Sequence, residues 1–297
     1  RAVEASLAST DARHLHLLGF YSLDKVPLMD VSSARVLKKD GSLSEMVERL
    51  RVHEIIVAVR QQRGGVLPLR ELLDCRLAGV QVTDLARFFE RVHGRVPIES
   101  VKVSWLIYGD GYRQNWIRRL VKRAFDVAVA LVMLTAMAPV MLLVALLIAM
   151  DGGGPIIYRQ ERVGFRGKPF VVLKFRTMRK DAEIDGTPRW ATVGDDRTTG
   201  IGRLLRQCRF DELPQLLNVL RGEMSFVGPR PERPPFVAML TEKIPFYAVR
   251  HSVKPGITGW AQVRYTYGAS VEEAGTKLEY DLYYVKNNTL LLDLQIL

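Results

Sequence analysis

Twenty-four consecutive residues, Val127 to Met150, carry no charge. As a straight helix this run would reach about 36 Å, enough to cross a hydrocarbon core of roughly 30 Å. Uncharged runs of this length are rare in soluble domains, so the sequence places the segment in a membrane rather than in a protein core. Pro139 falls near its middle. Proline lacks a backbone donor and clashes with the carbonyl four residues back, here that of Thr135, whose own hydroxyl is available to satisfy part of what is freed. The sequence therefore predicts a kinked or broken membrane helix at Pro139, supported by Thr135.

Both flanks of the run are basic. Arg113, Arg118, Arg119, Lys122 and Arg123 precede it, and Arg159, Arg162, Arg166 and Lys168 follow. Cationic flanks stay on the cytoplasmic side, so a simple crossing satisfies only one of them. A helix that dips into one leaflet and returns keeps both flanks against anionic inner-leaflet lipids, and re-entry is the expectation.

The 297 residues allow about two domains plus a membrane element, and a hydrophobic fraction of 48% supplies their cores. A disordered chain is excluded. The formal charge of +11 suits an anionic partner without choosing among nucleic acid, bilayer and phosphorylated substrate. Cys75 and Cys208 form neither a disulfide framework nor a zinc spacing. The opening Arg1-Ala2-Val3-Glu4 has neither an initiator methionine nor a signal layout, which leads us to expect further chain upstream.

Residues 43–94 alternate in type. A helix from Leu43 to Arg51 opens with the capping box Ser42-x-x-Glu45 and leads to the strand Ile55–Val59. A helix from Leu69 to Leu77 reaches Gly79 and the strand Val80–Val82. Thr83 then caps a helix from Leu85 to Val92, closed by Gly94. This reads as an α/β unit with a parallel sheet, a Rossmann-like accessory domain spanning residues 1–111. Gly64-Gly65 lacks the spacing of a dinucleotide site, and the stretch from Ile107 to Tyr112 reads as a linker. The remaining chain divides into a basic lead-in and re-entrant helix, 112–150, and a mixed α+β domain, 151–297.

Chemistry concentrates at Asp211-Glu212-Leu213-Pro214-Gln215. Asp211 is placed as the N-cap of a helix from Leu213 to Leu220, where free N–H groups also hold phosphate. With a reference pKa of about 3.9 it would be ionised at neutral pH, as an attacking carboxylate must be. Glu212 is adjacent and diverges in direction, so the two acids suit different jobs: one to attack phosphorus, the other to help hold a divalent cation, since Mg²⁺ binds through one or two carboxylates plus substrate phosphates. Lys174 and Arg176 follow the strand Phe170–Leu173, and Arg203, Arg206 and Arg209 precede the acids. Together these cations would neutralise a diphosphate. No aromatic-interleaved or helix-turn-helix pattern accompanies them, so nucleic acid is not the expected partner.

Five ordered motifs carry a resemblance. They are Gln160-x-Arg162-x-Gly164-x-x-Gly167, Lys174-Phe175-Arg176-Thr177-Met178, Asp211-Glu212-Leu213-Pro214-Gln215-Leu216, Gly228-Pro229-Arg230-Pro231, and the segment from Lys254 to Val263. From about Arg118 onward the chain resembles the bacterial sugar transferases, monotopic polyprenyl-phosphate sugar-1-phosphate transferases. The resemblance implies a re-entrant helix and a ping-pong reaction through a covalent aspartyl-phosphosugar, with Asp211 as nucleophile and Glu212 as the Mg²⁺ ligand. It further implies Lys174, Arg206 and Arg230, with Arg176 in the same motif, as phosphate-binding cations, and Asp281 as an additional active-site acid. The chain departs from the family at Ala138-Pro139, where Ser-Pro is usual, and at the bulky Cys208-Arg209-Phe210.

On this reading a UDP-sugar donates sugar 1-phosphate to polyprenyl (undecaprenyl) phosphate, releasing UMP, at the cytoplasmic face of the bacterial inner membrane. The product would begin an exopolysaccharide or related glycan. The accessory domain resembles that of longer family members, and its lack of a catalytic signature leaves room for a homodimer. The competing class is a non-catalytic membrane-docked scaffold of polysaccharide assembly, which gives no reason for two acids amid those cations.

Overall fold

The computed structural model describes residues 15–23, 35–38, 41–58, 67–98, 101, 116–151, 154–179, 197–265 and 270–297. The chain divides into two compact units, Arg1–Val101 and Lys102–Leu297. The boundary expected near residue 111, the linker and the Gly64-Gly65 pair lie outside the described residues.

In the first unit α1 (Leu43–Arg49) carries the expected capping box, with the Glu45 N–H donating to Ser42 Oγ and the Ser42 N–H to Glu45 Oε2. Strand β1 (Glu54–Val57), α2 (Leu69–Leu77), β2 (Gln81–Asp84) and α3 (Leu85–His93) follow. β1 and β2 are parallel, with Ile55 opposite Val82, and among the described residues this sheet has two strands. Asp84, not Thr83, caps α3, its Oδ1 accepting from the Arg87 N–H at 2.7 Å. The pleat turns Thr83 inward, where it is buried, and leaves the next side chain outside to cap. Gly94 closes α3 in the left-handed conformation, φ 61°.

The second unit is built around α4, a single helix from Trp116 to Met150. Helical backbone continues across Pro139, so the helix is not interrupted there. The Thr135 hydroxyl does not reach the freed carbonyl of its own residue either. It donates at 2.9 Å to the Leu131 carbonyl one turn earlier. Packing explains the continuity. Asp126, Ala130, Val144 and Ile148 are buried, and Met133, Leu134, Val140 and Met141 are partly buried between them, which makes one stripe at helical spacing. That stripe lies along the unit's own surface on both sides of Pro139. One lost backbone bond is outweighed by side chains worth about 1.5–3 kcal/mol each when fully buried. The other face exposes Leu131, Val132, Leu142, Leu143, Leu146 and Leu147.

The surface under the stripe is formed by an antiparallel hairpin and short helices. β3 (Ile157–Val163) and β4 (Pro169–Phe175) pair with Lys174 opposite Tyr158. Then come α5 (Gly200–Gln207), a tight turn at Phe210–Glu212, α6 (Gln215–Arg221) and β5 (Ser225–Val227). Ala130 packs with Val172 of β4 and Leu216 and Val219 of α6, while Val144 and Ile148 pack with Phe175 and with Leu205 of α5. Asn218 of α6, fully buried, completes the free edge of β4: its amide accepts from the Leu173 N–H and donates to the Val171 carbonyl. Beyond β5 lie α7 (Pro234–Lys243), a turn at Tyr247–Ser252, β6 (Gly256–Thr258), α8 (Trp260–Arg264), α9 (Val271–Asn287) and α10 (Leu290–Ile296).

The start of α4 is fixed by polar groups. Lys122 donates to Asp126 and to Asp293 of α10, and Asp126 also accepts from Ser225 Oγ and the Phe226 N–H. Both carboxylates are buried and paired with Lys122, the condition under which buried charge is tolerated.

Candidate active site

The acid pair sits in the turn between α5 and α6. Asp211 is not an N-cap: Pro214 occupies that place, and no side chain caps α6. Leu213 and Pro214 continue in helical dihedrals, so the first helical residue, Gln215, lies four positions after Asp211. Freed from capping, the Asp211 carboxylate is 7% exposed, and its Oδ1 has no hydrogen-bond partner. An orphaned buried acceptor is unfavourable for folding, and such exceptions concentrate where function requires them.

Glu212 is held instead. Lys174 of β4 donates to its Oε1 at 2.8 Å, and Arg230 grips both oxygens, at 2.7 Å and 3.3 Å. Burial alone would raise the Glu212 carboxyl, but Arg230 and Lys174 outweigh it and hold the group well below the usual carboxylate range. Asp211 goes the other way. Burial pushes its carboxyl up, with Lys174, Arg206 and Arg230 pulling against that and Glu212 adding to it. The ordinary acidity expected from the sequence is therefore lost, and those three cations favour the ionised form.

Lys174, Glu212, Arg230, Asp211 and Arg206 thus converge. Arg206 is oriented by Thr177 at 3.0 Å and Thr198 at 3.4 Å. Gly202 makes that approach feasible, since a Cβ there would stand 2.1 Å from the Thr177 carbonyl oxygen. Arg176 is used elsewhere, donating to the Ile148 carbonyl near the C-terminal end of α4.

Asp281 does not join the acids. It lies on α9, 2% exposed, and takes Nε and Nη2 of Arg250 at 2.9 Å and 2.8 Å. Arg250 in turn donates to the Arg230 carbonyl at 2.9 Å and to the Tyr247 hydroxyl at 3.0 Å. On the other side Arg162 donates to the Pro231 carbonyl at 3.0 Å and is itself aligned by Gln160. Two arginines therefore clamp consecutive carbonyls of the Gly228–Pro231 segment that presents Arg230. Asp281 acts on the cluster through Arg250 as a positioning residue. Arg162 stood in a quoted motif, whereas Arg250 carried no sequence signal.

A helix-and-strand unit with one long apolar helix laid along its surface fits a monotopic membrane-associated domain. The chain belongs to the bacterial sugar transferase family, which it matches over residues 117–297. Over 227 residues it is 40% identical to the UDP-N-acetylgalactosamine-undecaprenyl-phosphate N-acetylgalactosaminephosphotransferase of Aeromonas hydrophila, covering 76% of this chain and 53% of that protein. Over 269 residues it is 34% identical to the UDP-glucose:undecaprenyl-phosphate glucose-1-phosphate transferase of Escherichia coli strain K12, covering 86% and 56%. A Caulobacter vibrioides protein of that same name is 44% identical over 178 residues, 59% of this chain and 66% of that one. The chain spans about half the length of the first two relatives.

Proposed function

We propose that this protein transfers a sugar 1-phosphate from a UDP-sugar to undecaprenyl phosphate through a covalent intermediate on Asp211. The observation that carries the reading is the buried Asp211 Oδ1, unpartnered beside a Glu212 already neutralised by Lys174 and Arg230. Asp211 attacks the sugar-bearing phosphorus, an Asp–O–P bond forms, and the bond to UMP breaks. A phosphate oxygen of the lipid then attacks the same phosphorus. The aspartyl bond breaks, the lipid carries a diphosphate sugar, and the carboxylate is restored. Lys174, Arg206 and Arg230 bind the donor's phosphates and stabilise the charge that develops on them. The named relatives differ in their sugar, so the sugar here is set by contacts beyond this cluster.

Among the described residues no group of three or more His, Cys, Asp or Glu side chains converges to form a protein-only metal cage. A Mg²⁺ ion still fits: Glu212 Oε2 has only the longer Arg230 contact, and Asp211 Oδ1 is unsatisfied, leaving the remaining ligands to substrate phosphates. Glu212 would hold it, and the ion would supply Lewis-acid neutralisation of the diphosphate.

The packing of α4 supports a placement on one side of the bilayer. Its contacts with its own unit leave only residues 135–139 between the two patches, about 7.5 Å of helix, where a crossing needs about 30 Å. The protein then lies on one face, the cytoplasmic face of the bacterial inner membrane, with its lipid-facing side in the inner leaflet among anionic lipids. In keeping with a relative in Rhizobium leguminosarum bv. phaseoli named for exopolysaccharide production, the product would enter such a glycan. The parallel β1–β2 unit is read as a Rossmann-like accessory domain, and it is the candidate surface for a homodimer.

The test uses detergent-solubilised protein with Mg²⁺, undecaprenyl phosphate and a panel of UDP-sugars, following UMP release. One sugar should give turnover, Asp211→Asn should abolish it, and donor alone should leave a sugar-phosphate adduct on Asp211 by intact mass. No release with any sugar, and no adduct, would overturn the reading.

A further inference from the structure

An open cleft of about 800 Å³ lies apart from the acid cluster, and none of Asp211, Glu212, Lys174, Arg206 and Arg230 lines it. Its walls come from the β3–β4 hairpin, the C-terminal end of α6 and the segment just before β6, and they include Arg159, Lys168, Arg221 and Lys254. Among the described residues none of these four side chains has an ion pair or hydrogen bond. The lining carboxylate, Glu223, is engaged by the Asn218 amide at 2.7 Å. Four uncommitted cations around one cavity call for an external anion, because like charges held together without a counterion repel. Between them are apolar walls, among them Phe170 and the half-exposed Leu217. The ligand that matches is an anion attached to something greasy.

The position of the cleft narrows the choice. Gly222 ends α6 in the left-handed conformation, φ 82°, and a Cβ there would stand 3.5 Å from Lys254 Nζ and 3.6 Å from the Arg123 guanidinium. Arg123 is committed to the Val219 and Leu220 carbonyls, which leaves Lys254 and Arg221 as surplus positive charge at that helix end. Arg123 lies four residues before the charge-free run begins at Val127, so the cleft opens where the apolar helix surface gives way to charge. At that level of a monotopic protein, phosphate headgroups are the abundant anions.

We propose that the cleft bounded by Arg159, Lys168, Arg221 and Lys254 binds the phosphodiester headgroup of an anionic membrane phospholipid, holding the protein at the bilayer surface apart from the reacting lipid. The inference rests on the membrane-facing reading of α4. It is independent of the chemistry at Asp211, because its test requires no sugar donor.

The test is flotation of the full chain with vesicles of phosphatidylcholine alone or with phosphatidylglycerol added. The parent should favour the phosphatidylglycerol vesicles. Arg221→Gln with Lys254→Gln should weaken that preference by about 30-fold, from roughly fivefold per cation near an anionic surface, with phosphatidylcholine binding unchanged. Arg70→Gln with Arg87→Gln, which removes the same charge from exposed sites in the other unit, should weaken it by much less. Equal loss in the two double variants would reduce the effect to net charge and overturn the site. Release of the parent from phosphatidylglycerol vesicles by millimolar inorganic phosphate, or by catalytic amounts of undecaprenyl phosphate, would also overturn it, assigning the cleft to free phosphate or to the acceptor. A failed UMP assay alongside the expected flotation pattern would sink the transferase reading and leave this one standing.

Discussion

Replacing Asp281 with asparagine should destabilise the second unit by about 3–5 kcal/mol, the range for removing one partner of a buried ion pair. The magnitude follows from what is left behind. Arg250 is 6% exposed, and among the described residues Asp281, at 2.9 Å and 2.8 Å, is the one carboxylate it touches, with Glu232 acting on it from farther off; the Tyr247 hydroxyl and Arg230 carbonyl that remain in contact are neutral. A guanidinium confined there without a counterion must rotate out or admit water, and either movement releases the Arg230 carbonyl. Arg230 would then lose its fixed aim at Glu212, and a displacement near 1 Å can reduce turnover by about a hundredfold. Urea unfolding in detergent, followed by the fluorescence of Trp260, which stacks on Tyr283 of α9, reads the stability. The double variant Arg250→Met with Asp281→Leu should recover most of the stability, since apolar replacement of a buried pair is often neutral, but should not recover turnover. If Asp281→Asn unfolds within about 1 kcal/mol of the parent, the clamp does not work as described. If it unfolds early but the double variant turns over normally, Arg250 does not position Arg230.

Two further perturbations follow from the same region. Burial, with Arg250 adding to it, pushes the His251 imidazole down to about 4. The unfolded chain therefore binds more protons than the folded one between about pH 4 and 6.5, and stability should rise with pH across that window. The change is up to about 3 kcal/mol, discounted to roughly 1–2 because the ring is partly exposed, and His251→Gln should flatten it in denaturation curves. Separately, Gly228→Ala should destabilise the unit by about 3 kcal/mol or more, because its Cβ would stand 2.4 Å from the Lys254 carbonyl oxygen where β5 and β6 run side by side; a thermal midpoint equal to the parent's would contradict that close approach.

The acids, Lys174 and Arg230 were legible because each sits in a short motif whose residue types state a chemistry. What those motifs could not state was the use of each atom. Asp211 looked like a cap because apolar periodicity resumes at Leu213, yet Pro214 occupies the cap position and the carboxylate is left over. Thr83 and Asp84 are both competent caps, and only the inward turn of Thr83 decided between them. Arg176 reads as one more cation beside Lys174, but the strand ends between them and Arg176 turns to the Ile148 carbonyl. Asp281 reads as a free acid until Arg250, 31 positions earlier, is seen against it.

Pro139 marks the same limit on a larger scale. A proline in an isolated helix predicts a break, because the local backbone is all that can be weighed. In the folded unit the stripe from Asp126 to Ile148 rests on β4, α5 and α6, and that contact keeps the helix whole.

The sequence by itself determined where the apolar helix lies and which residue types gather around the acid pair, since an unbroken run of uncharged side chains and a short motif are properties of neighbours along the chain. Tertiary structure alone decided which face of that helix is left exposed, which acid is held and which is free, and which arginines grip backbone carbonyls and which face the acids. Those outcomes depend on pairs such as Lys174 with Glu212 and Arg250 with Asp281, brought together by packing across long stretches of chain, and a linear pattern contains no term for such distances.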